Sequence, residues 1–365
     1  MKKEKLVSAL LVIVVITIAS LVFASCAPTA PPATSPTAPA APKPKAIKWI
    51  GQACLPAGMP VHEGLVEFAK RVTEASGGRL VLEAKPAGAV CPATKEWKAI
   101  DKGVLDFAAC AGSYMVPDVP FGTVVCQRAG SRLPPMAVYA WYEIEGRDLI
   151  NKWYEKFGYD FIEIGGLQGL PEGWIHLDKP LKGPEDLKGL KMRCAGDCGE
   201  ILHRMGVGAV FMPLGEIFEN MKRGVIDAFE CSCPAFDWKM GLYEVGKYYY
   251  LNPTRAPWEL YNILVKRSKW EKLPDDLKVI LRDCAEAENI YYHSRLVKKN
   301  AEAIKKFKDY GVVVEKLPES IAEAFVKEAG KFYSEKMAKY PSVKEVLGSQ
   351  LEFEKIWEEL YGLPR

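Results

Sequence analysis

Apolar and polar positions change period at regular intervals along the chain. The alternation typical of a strand gives way to apolar residues three and four apart, the spacing of a half-buried helix, and Gly or Pro stands near most of the changes. Over the first part of the chain's body the pattern predicts strand, helix, strand, helix and strand in turn, at residues 48–53, 62–76, 80–84, 94–102 and 103–108.

The same kind of pattern returns further along the chain. It predicts strands at residues 161–164, 190–193, 210–212 and 225–229, with helices at 197–205 and 216–223. Strands that alternate with helices favour an α/β fold, in which a largely parallel sheet carries helices on both faces. Two such units in succession predict two α/β lobes with a cleft between them. The mostly helical segment from Pro274 to Leu363 then supplies one or two long helices that brace the lobes.

The amino-terminal region has a different composition. Three lysines among the first five residues precede an apolar run over 6–24, and small residues then lead to Cys26. This pattern is typical of a lipoprotein signal peptide over residues 1–25, with Cys26 as the lipidation site and a Pro/Ala/Thr-rich linker over 26–46. An uncleaved membrane anchor is the alternative. Either interpretation places the body, residues 47–365, outside the cytoplasm.

The net charge of the body bears on its possible partners, and the cysteine count bears on its disulfides. The net charge of +3 comes from the amino-terminal region, and residues 47–365 carry a net charge of −1 without a basic stripe. This argues against a nucleic-acid partner. Of the ten cysteines, nine remain besides Cys26, and an odd number leaves at least one without an intramolecular partner.

Sequence signatures of catalysis are missing. The chain contains no glycine-rich phosphate loop, no HExxH and no GxSxG element, and its four histidines lie far apart in sequence. Cys194 with Cys198, and Cys231 with Cys233, lack the two-residue spacing of common zinc sites. The motifs therefore favour a binding protein over an enzyme.

An ordered set of motifs runs through the body. A Gly-then-acid element occurs at residues 99–106 and again at 221–227, the sequence DLKGLKMR lies at 186–193, and GLYEVGKYYY lies at 241–250. Together these resemble the DctP-like solute receptors of TRAP transporters, which are tripartite, ATP-independent uptake systems. The likeness begins near Lys48 and reaches into the C-terminal helices. Within the family it is greatest to receptors for 2-oxo acids and related monocarboxylates.

The resemblance implies a two-lobe periplasmic-binding-protein-like fold that closes on one ligand. Lobe 1 then comprises about residues 47–165 with part of 254–290, and lobe 2 comprises 166–253 with the C-terminal helices. The family's signature arginine corresponds to Arg193 and pairs with the ligand carboxylate. A planar guanidinium suits that role because its donors match the two carboxylate oxygens.

The resemblance also implies a cation beside the ligand. In 2-oxo-acid receptors an acid followed by Trp helps to hold the cation, whereas here Glu230 is followed by Cys231. Those receptors carry a further Gln ligand after the strand that ends at Ile164, and here that loop is apparently one residue shorter. Gln168 or Glu172 could take the role. A Na⁺ or Ca²⁺ held by Glu230, Cys231 and Gln168 is therefore an open expectation.

Three further ligand-binding candidates rest on position alone. Gln52 ends the opening strand, Tyr114 follows the third strand of the first lobe, and Trp258 follows the Tyr-rich segment. Aromatic side chains in a cleft supply apolar contact, and core packing is the alternative for each residue.

The sequence thus predicts an extracytoplasmic, lipid-anchored substrate-binding subunit that captures a small organic acid and delivers it to a TRAP membrane permease, without performing a reaction. Two alternatives stay open. One is an exported receptor that serves a sensor or an ATP-driven importer, and the other is an exported enzyme that uses Cys231 or Glu230. A homodimer through residues 291–308 is a further expectation.

Overall fold

The computed structural model describes residues 45–362. The predicted signal peptide, Cys26 and nearly all of the predicted linker lie outside these residues. Among the helices of the described part, none is both long enough and apolar enough to cross a membrane.

The strands of the described part form two sheets. Their bounds are β1 Ile47–Ala53, β2 Leu80–Lys85, β3 Phe107–Ala111, β4 Phe161–Gln168, β5 Gly173–Leu177, β6 Lys191–Arg193, β7 Gly208–Val210, β8 Ala228–Phe229, β9 Tyr248–Leu251, β10 Leu260–Lys266 and β11 Val313–Lys316. The first sheet has the order β2-β1-β3-β10-β4, and the second has the order β11-β9-β5-β8-β6-β7.

The helices cover these sheets and connect them. Their bounds are α1 Pro60–Ala75, α2 Glu96–Asp101, α3 Gly122–Gln127, α4 Pro135–Trp141, α5 Arg147–Lys156, α6 Gly196–Arg204, α7 Ile217–Lys222, α8 Pro234–Lys239, α9 Arg267–Trp270, α10 Asp275–Tyr310, α11 Glu319–Lys339 and α12 Pro341–Tyr361. A π-helical segment, Tyr142–Gly146, joins α4 to α5.

Most predicted elements are confirmed, with shifted ends. Strands β1, β2 and β6 and helices α1 and α6 lie within two residues of their predicted bounds. The predicted strand 103–108 begins only at Phe107, and the predicted strand 225–229 is reduced to Ala228–Phe229. The helical C-terminal third contains three long helices rather than one or two, with β11 between the first pair.

Both sheets are mixed rather than largely parallel. In the first sheet β1 pairs in parallel with β2 and β3, but β10 is antiparallel to both β3 and β4. In the second sheet β5 is antiparallel to β8 and β9. The pattern did not predict β10 because it is a continuous buried apolar run, and such a run shows no period that separates a strand from a helix.

The chain crosses between the sheets at two places that matter for the site. One crossing, residues 169–172, joins β4 to β5, and the other, residues 252–259, joins β9 to β10. Helix α10 spans both sheets' layers, since it packs on α1 and β4 and also on α8 and β11. The predicted bracing helix is therefore present. The bounds predicted for the two lobes stay a prediction. Helix α12, a C-terminal helix assigned to lobe 2 in that prediction, packs on α3, α4 and α5, which lie within the range predicted for lobe 1.

A close backbone approach fixes the turn after β3. Gly112 begins a 3₁₀ turn that ends at Tyr114, and it faces Gly122 at the start of α3. A Cβ added at Gly112 would lie 2.4 Å from the carbonyl oxygen of Gly122, and one added at Gly122 would lie 2.2 Å from that of Gly112. Because both groups are backbone, no side-chain rotation can relieve the overlap.

We expect Gly112→Ala to lower the free energy of unfolding by about 1–3 kcal/mol, the usual penalty for overpacking a buried site. Thermal denaturation followed by circular dichroism would measure it. The matched control is Gly330→Ala on the exposed side of α11, where an added Cβ meets nothing within 4 Å. The control should leave the stability unchanged or raise it, since Ala is the better helix former. Equal effects at both glycines would contradict the close approach.

Candidate functional site

Arg193 ends β6 and is 1% exposed. Its Nε donates to the carbonyl oxygen of Met212 at 3.1 Å, and its Nη1 donates to the Glu230 carboxylate oxygen Oε1 at 2.9 Å and to the Glu230 carbonyl oxygen at 3.0 Å. Its remaining nitrogen, Nη2, is buried without a hydrogen-bond partner among the described residues. A buried unpaired N–H is unfavourable, so Nη2 is a donor that this site leaves for a further acceptor.

Glu230 follows β8 and lies between two arginines. Its Oε1 accepts from Arg193 and from the backbone N–H of Ala195 at 2.7 Å, and its Oε2 accepts from Nη1 of Arg255 at 3.0 Å. Burial opposes the charge of Arg193, but the Glu230 carboxylate together with Tyr114, Cys231 and Cys194 outweighs this effect, so the pKa of the guanidinium is raised. Arg193 is therefore charged at every physiological pH.

Arg255 belongs to the crossing 252–259, and the sequence analysis missed it. Its Nη2 donates to the carbonyl oxygen of Gly173 at 2.7 Å and to the carboxylate of Glu172 at 2.5 Å. Arg193, Glu230, Arg255 and Glu172 thus form a buried ion-pair chain that runs from the second sheet into both crossings. No periodicity or motif marks Arg255, because the feature that makes it important is burial against carboxylates distant in sequence.

Glu259 adds a further carboxyl group beside this ion-pair chain. Its Oε2 accepts from the hydroxyl of Ser232 at 3.0 Å. Burial raises the pKa of Glu259 to about 7, and burial together with the charge of Glu259 raises the pKa of Glu172 well above its usual range. Two such neighbouring carboxyl groups share a proton more readily than they ionise together.

A cavity of about 540 Å³ opens between the two lobes, and Cys194, the residue after Arg193, lines it. Its volume is within the range of small-molecule sites. Tyr114 lines it from the first lobe and Phe211 from the second, and the two rings meet edge to face with centroids 6.3 Å apart. The guanidinium carbon of Arg193 lies 5.9 Å from the centre of the Phe211 ring. Of the three positional candidates, Tyr114 is therefore the one that borders the cavity.

The lobes are in close contact around this cavity. Gly196 has a φ of +60°, and a Cβ added there would lie 3.1 Å from Thr123 Oγ1 of the first lobe. On another side, the ammonium of Lys239 on α8 lies 3.1 Å from the carboxylate of Glu63 on α1. The two lobes thus contact each other beside the cavity and at a second place, which suits a ligand that is held between them.

The other two positional candidates hold the first lobe together and do not line the cavity. The Gln52 amide oxygen accepts from the backbone N–H groups of Val90 and Cys91, and its nitrogen donates to Glu96 at 2.9 Å. The Trp258 indole is fully buried and donates to the carbonyl oxygen of Val125 at 3.0 Å. Gln52 positions the loop that leads to Thr94 and Lys95 of the cavity wall, so its role is indirect.

The side chains of the other two candidate cation ligands, Cys231 and Gln168, lie in different parts of the structure. The Cys231 side chain packs in a small apolar cluster of the second lobe, and its Sγ lies 3.8 Å from the Met240 sulfur. The Gln168 side chain donates to the carbonyl oxygen of Gly169 at 3.1 Å, while its Oε1 is buried without a partner among the described residues. No hydrogen bond or ion pair of the described residues joins Gln168 to Glu230.

A histidine does stand near Cys231 in space, although it is distant in sequence. His176 on β5 pairs with Asp237 at 3.0 Å and is stacked on the Tyr249 ring with centroids 3.8 Å apart. All three side chains are at most 1% exposed. Burial also raises the pKa of the Cys231 thiol well above its usual range, which is unfavourable for a nucleophile. The Asp237 carboxylate accepts from the backbone N–H of Ser232 at 3.0 Å, so this group holds the loop after Glu230.

Within residues 45–362 no group of three or more His, Cys, Asp and Glu side chains is arranged to hold a metal ion. The nine cysteines of this part are all free thiols.

Comparison with known proteins places the chain in a family. The model of the bacterial extracellular solute-binding proteins, family 7 (DctP), matches residues 51–340. The monocarboxylate 2-oxoacid-binding periplasmic protein of Nostoc sp. (strain PCC 7120) is 28% identical over 313 residues, which cover 85% of this chain and 84% of that protein.

Solved structures share the fold. A TRAP transporter solute-binding protein from Bordetella bronchiseptica RB50, with calcium and picolinate in its active site, has a TM-score of 0.80 at 22% identity over 87% of this chain and 95% of that chain. A TRAP periplasmic solute-binding protein from Pseudoalteromonas atlantica T6c, with bound sodium and pyruvate, has a TM-score of 0.80 at 22% identity over 87% and 97% of the two chains. The predicted two-lobe fold is thereby confirmed.

Buried carboxyl groups make stability fall as pH rises. Burial raises the pKa of Glu96, Glu163 and Glu259 from the ordinary 4.5 to about 7. The folded state therefore binds more protons than the unfolded state between pH 4.5 and about 7, and the free energy of unfolding falls through this window by about 1.4 kcal/mol per pH unit for each group. We expect a lower melting temperature at about pH 8 than at about pH 5.5.

Glu259→Gln should reduce this pH-dependent fall, because its side chain no longer binds a proton. Glu319→Gln, at an exposed position of α11, is the control and should leave the fall unchanged. Melting curves at a series of pH values would measure both. A melting temperature of the unaltered protein that rises from about pH 5.5 to 8 would contradict the burial argument.

Proposed function

Because the chain belongs to family 7 of the bacterial extracellular solute-binding proteins, we propose that it captures a small organic acid between its two lobes and delivers it to the membrane permease of a TRAP transporter. The single observation that carries the proposal is the Nη2 of Arg193, which is buried without a partner among the described residues, close to Cys194 and Phe211 of the wall of a cavity of about 540 Å³. A ligand carboxylate would satisfy this nitrogen and form a charge-assisted hydrogen bond.

The proposed ligand is a monocarboxylate, with 2-oxo acids as the first class to test. Arg193 offers one open nitrogen, since its other donors are taken by Met212 and Glu230. One carboxylate therefore fits the charged part of the site. Support for 2-oxo acids comes from the name of the Nostoc relative and from the pyruvate bound in the Pseudoalteromonas structure. Tyr114 and Phe211 would contact the apolar remainder of the acid.

We propose that the protein acts as a receptor and performs no reaction. The groups that the enzyme alternative would use are poorly placed for catalysis: Cys231 is 5% exposed, and Glu230 is held by two arginines. Stoichiometric release of the bound acid, unchanged, would support the receptor. Turnover of the acid would support the enzyme.

The proposal includes export and membrane attachment. Cys26 becomes lipidated after removal of residues 1–25, and the linker tethers the body near its permease. Cys26→Ser should release the protein from the membrane fraction, as detergent phase partitioning would measure.

The alternative is a receptor that serves a sensor or an ATP-driven importer, and a neighbouring gene for a multi-span TRAP permease would decide between the two. A homodimer through residues 291–308 stays a prediction, which sedimentation velocity would test.

A ligand screen by thermal shift tests the central claim. The purified protein would first be unfolded and refolded to remove carried-over ligand, and then melted with a panel of small mono- and dicarboxylates. An acid that binds only the folded state adds about 2.7 kcal/mol to the free energy of unfolding at a hundredfold excess over Kd. A shift with monocarboxylates alone supports the proposal. No shift with any acid would overturn it.

Arg193→Lys separates the guanidinium fork from its charge. Lysine retains a positive charge beside Glu230, but its single nitrogen cannot bond Met212 and Glu230 and also present a fixed donor to the ligand, as the guanidinium can. We expect the affinity for the acid found in the screen to fall by a factor of about ten or more, equivalent to at least 1.4 kcal/mol. Arg128→Lys is the matched control, because Arg128 is also a buried, ion-paired arginine but pairs with Glu354 away from the cleft. Isothermal titration would measure both, and equal affinities for the two variants would remove Arg193 from the site.

A further inference from the structure

We propose that Arg255 takes the place of the cation expected beside the ligand, so that this receptor binds its acid without Na⁺ or Ca²⁺. The proposal rests on the proposed function, since it concerns the same site. It departs from the family resemblance, which implied a cation held by Glu230, Cys231 and Gln168.

Every oxygen of Glu230 already accepts a hydrogen bond from a described residue, and three of the four bonds come from arginine. Its Oε1 accepts from Arg193 and Ala195, its Oε2 accepts from Arg255, and its carbonyl oxygen accepts from Arg193. A hard cation needs six to eight oxygen ligands, among them carboxylates that are not already held by other positive charges. A metal ion at Glu230 would instead stand beside two guanidinium groups, and like charges at this distance repel strongly where water is excluded.

The other expected ligands do not converge on Glu230. The Cys231 side chain is turned into the apolar cluster that contains Phe229 and Leu242. Gln168 lies on β4 of the first sheet, where its backbone N–H donates to Asn289 of α10 at 2.7 Å. Its Oε1 and the Oε1 of Glu172 have no partner among the described residues, but two oxygens fall short of the six to eight that Ca²⁺ takes. The described residues therefore do not fit the cation site that the resemblance implied.

Arg255 supplies a positive charge between two buried carboxylates. Its Nη1 contacts Glu230 at 3.0 Å and its Nη2 contacts Glu172 at 2.5 Å, so one guanidinium joins two buried carboxylates as a metal ion would. Each of the four charged side chains of the ion-pair chain is at most 3% exposed. Two arginines balance Glu230 and the one negative charge that remains when Glu172 and Glu259 share a proton, so this group is neutral without any bound ion.

This arrangement explains two departures from the receptor pattern together. The loop before β5 carries Glu172, which here accepts from Arg255, and the residue after Glu230 is Cys, whose side chain contacts no member of the ion-pair chain. Here the positive charge belongs to an arginine side chain rather than to a bound ion. The Gln and Trp that help to hold the cation in other receptors are then not needed.

The first test is calcium binding in the absence of any acid, measured by equilibrium dialysis with ⁴⁵Ca²⁺ on the full chain. We expect no saturable site up to about 1 mM, the weak end of extracellular calcium sites. Arg255→Met frees the carboxylates of Glu230 and Glu172 from one common partner, and we expect this variant to gain one calcium per chain. Arg255→Lys is the matched control, which keeps the positive charge and should gain none.

Two outcomes would overturn the proposal. The first is one calcium bound per chain of the unaltered protein and lost in Glu230→Gln. The second is an Arg255→Met protein that is folded by circular dichroism and binds no calcium. If Arg255→Met does not fold, the unaltered protein and Glu230→Gln still decide the question, because their result does not depend on that variant.

A second test uses pyruvate as the probe. Its Kd would be measured in calcium-chelated, sodium-free buffer and again with sodium or calcium added, and we expect the values to agree within about twofold. Binding that appears only with an added cation would overturn the proposal. If pyruvate and the other acids of the screen fail to bind under all conditions, the proposed function fails, while the calcium dialysis still decides whether Arg255 occupies the cation's place.

Discussion

Burial of the Arg193 guanidinium is the constraint on which the rest of the site depends. A charge removed from water is costly unless its donors are satisfied and its charge is balanced. Glu230 supplies the balance, but its own burial then requires Arg255, and Arg255 in turn requires Glu172. The ion-pair chain is therefore a sequence of compensations that begins at the ligand anchor and ends in the segments between the sheets.

The ion-pair chain also ties the ligand site to the joint between the lobes. Arg193 and Glu230 lie at the ends of strands of the second sheet, whereas Arg255 and Glu172 lie in the two crossings. Under the proposed function, an acid that pairs with Arg193 would change the electrostatic balance of the residues in these crossings. Closure by hinge motion is the usual response of two-lobed receptors to a ligand, and Tyr114 of the first lobe already contacts Phe211 of the second.

Several features of the site could be predicted from the sequence, and the rest could not, for identifiable reasons. Arg193 and Glu230 stand at strand ends within ordered motifs, which is why they could be chosen. Gln52 and Trp258 stand in comparable positions, yet their polar atoms are used within the first lobe. At the end of a strand the chain passes into a loop, and no period there fixes the direction in which a side chain points. Arg255 has no sequence signal, since its partner Glu172 is 83 residues away.

The sequence by itself determined the α/β class, most of the strands and helices, the long bracing helix and the family, because local periodicity and ordered motifs are written along the chain. Only the tertiary structure decided that the sheets are mixed, that Tyr114 borders the cavity and that Glu230 is shared by two arginines. These features depend on burial and on contacts between residues far apart in sequence. Desolvation acts on the assembled site, and it is what makes each buried charge depend on its partner.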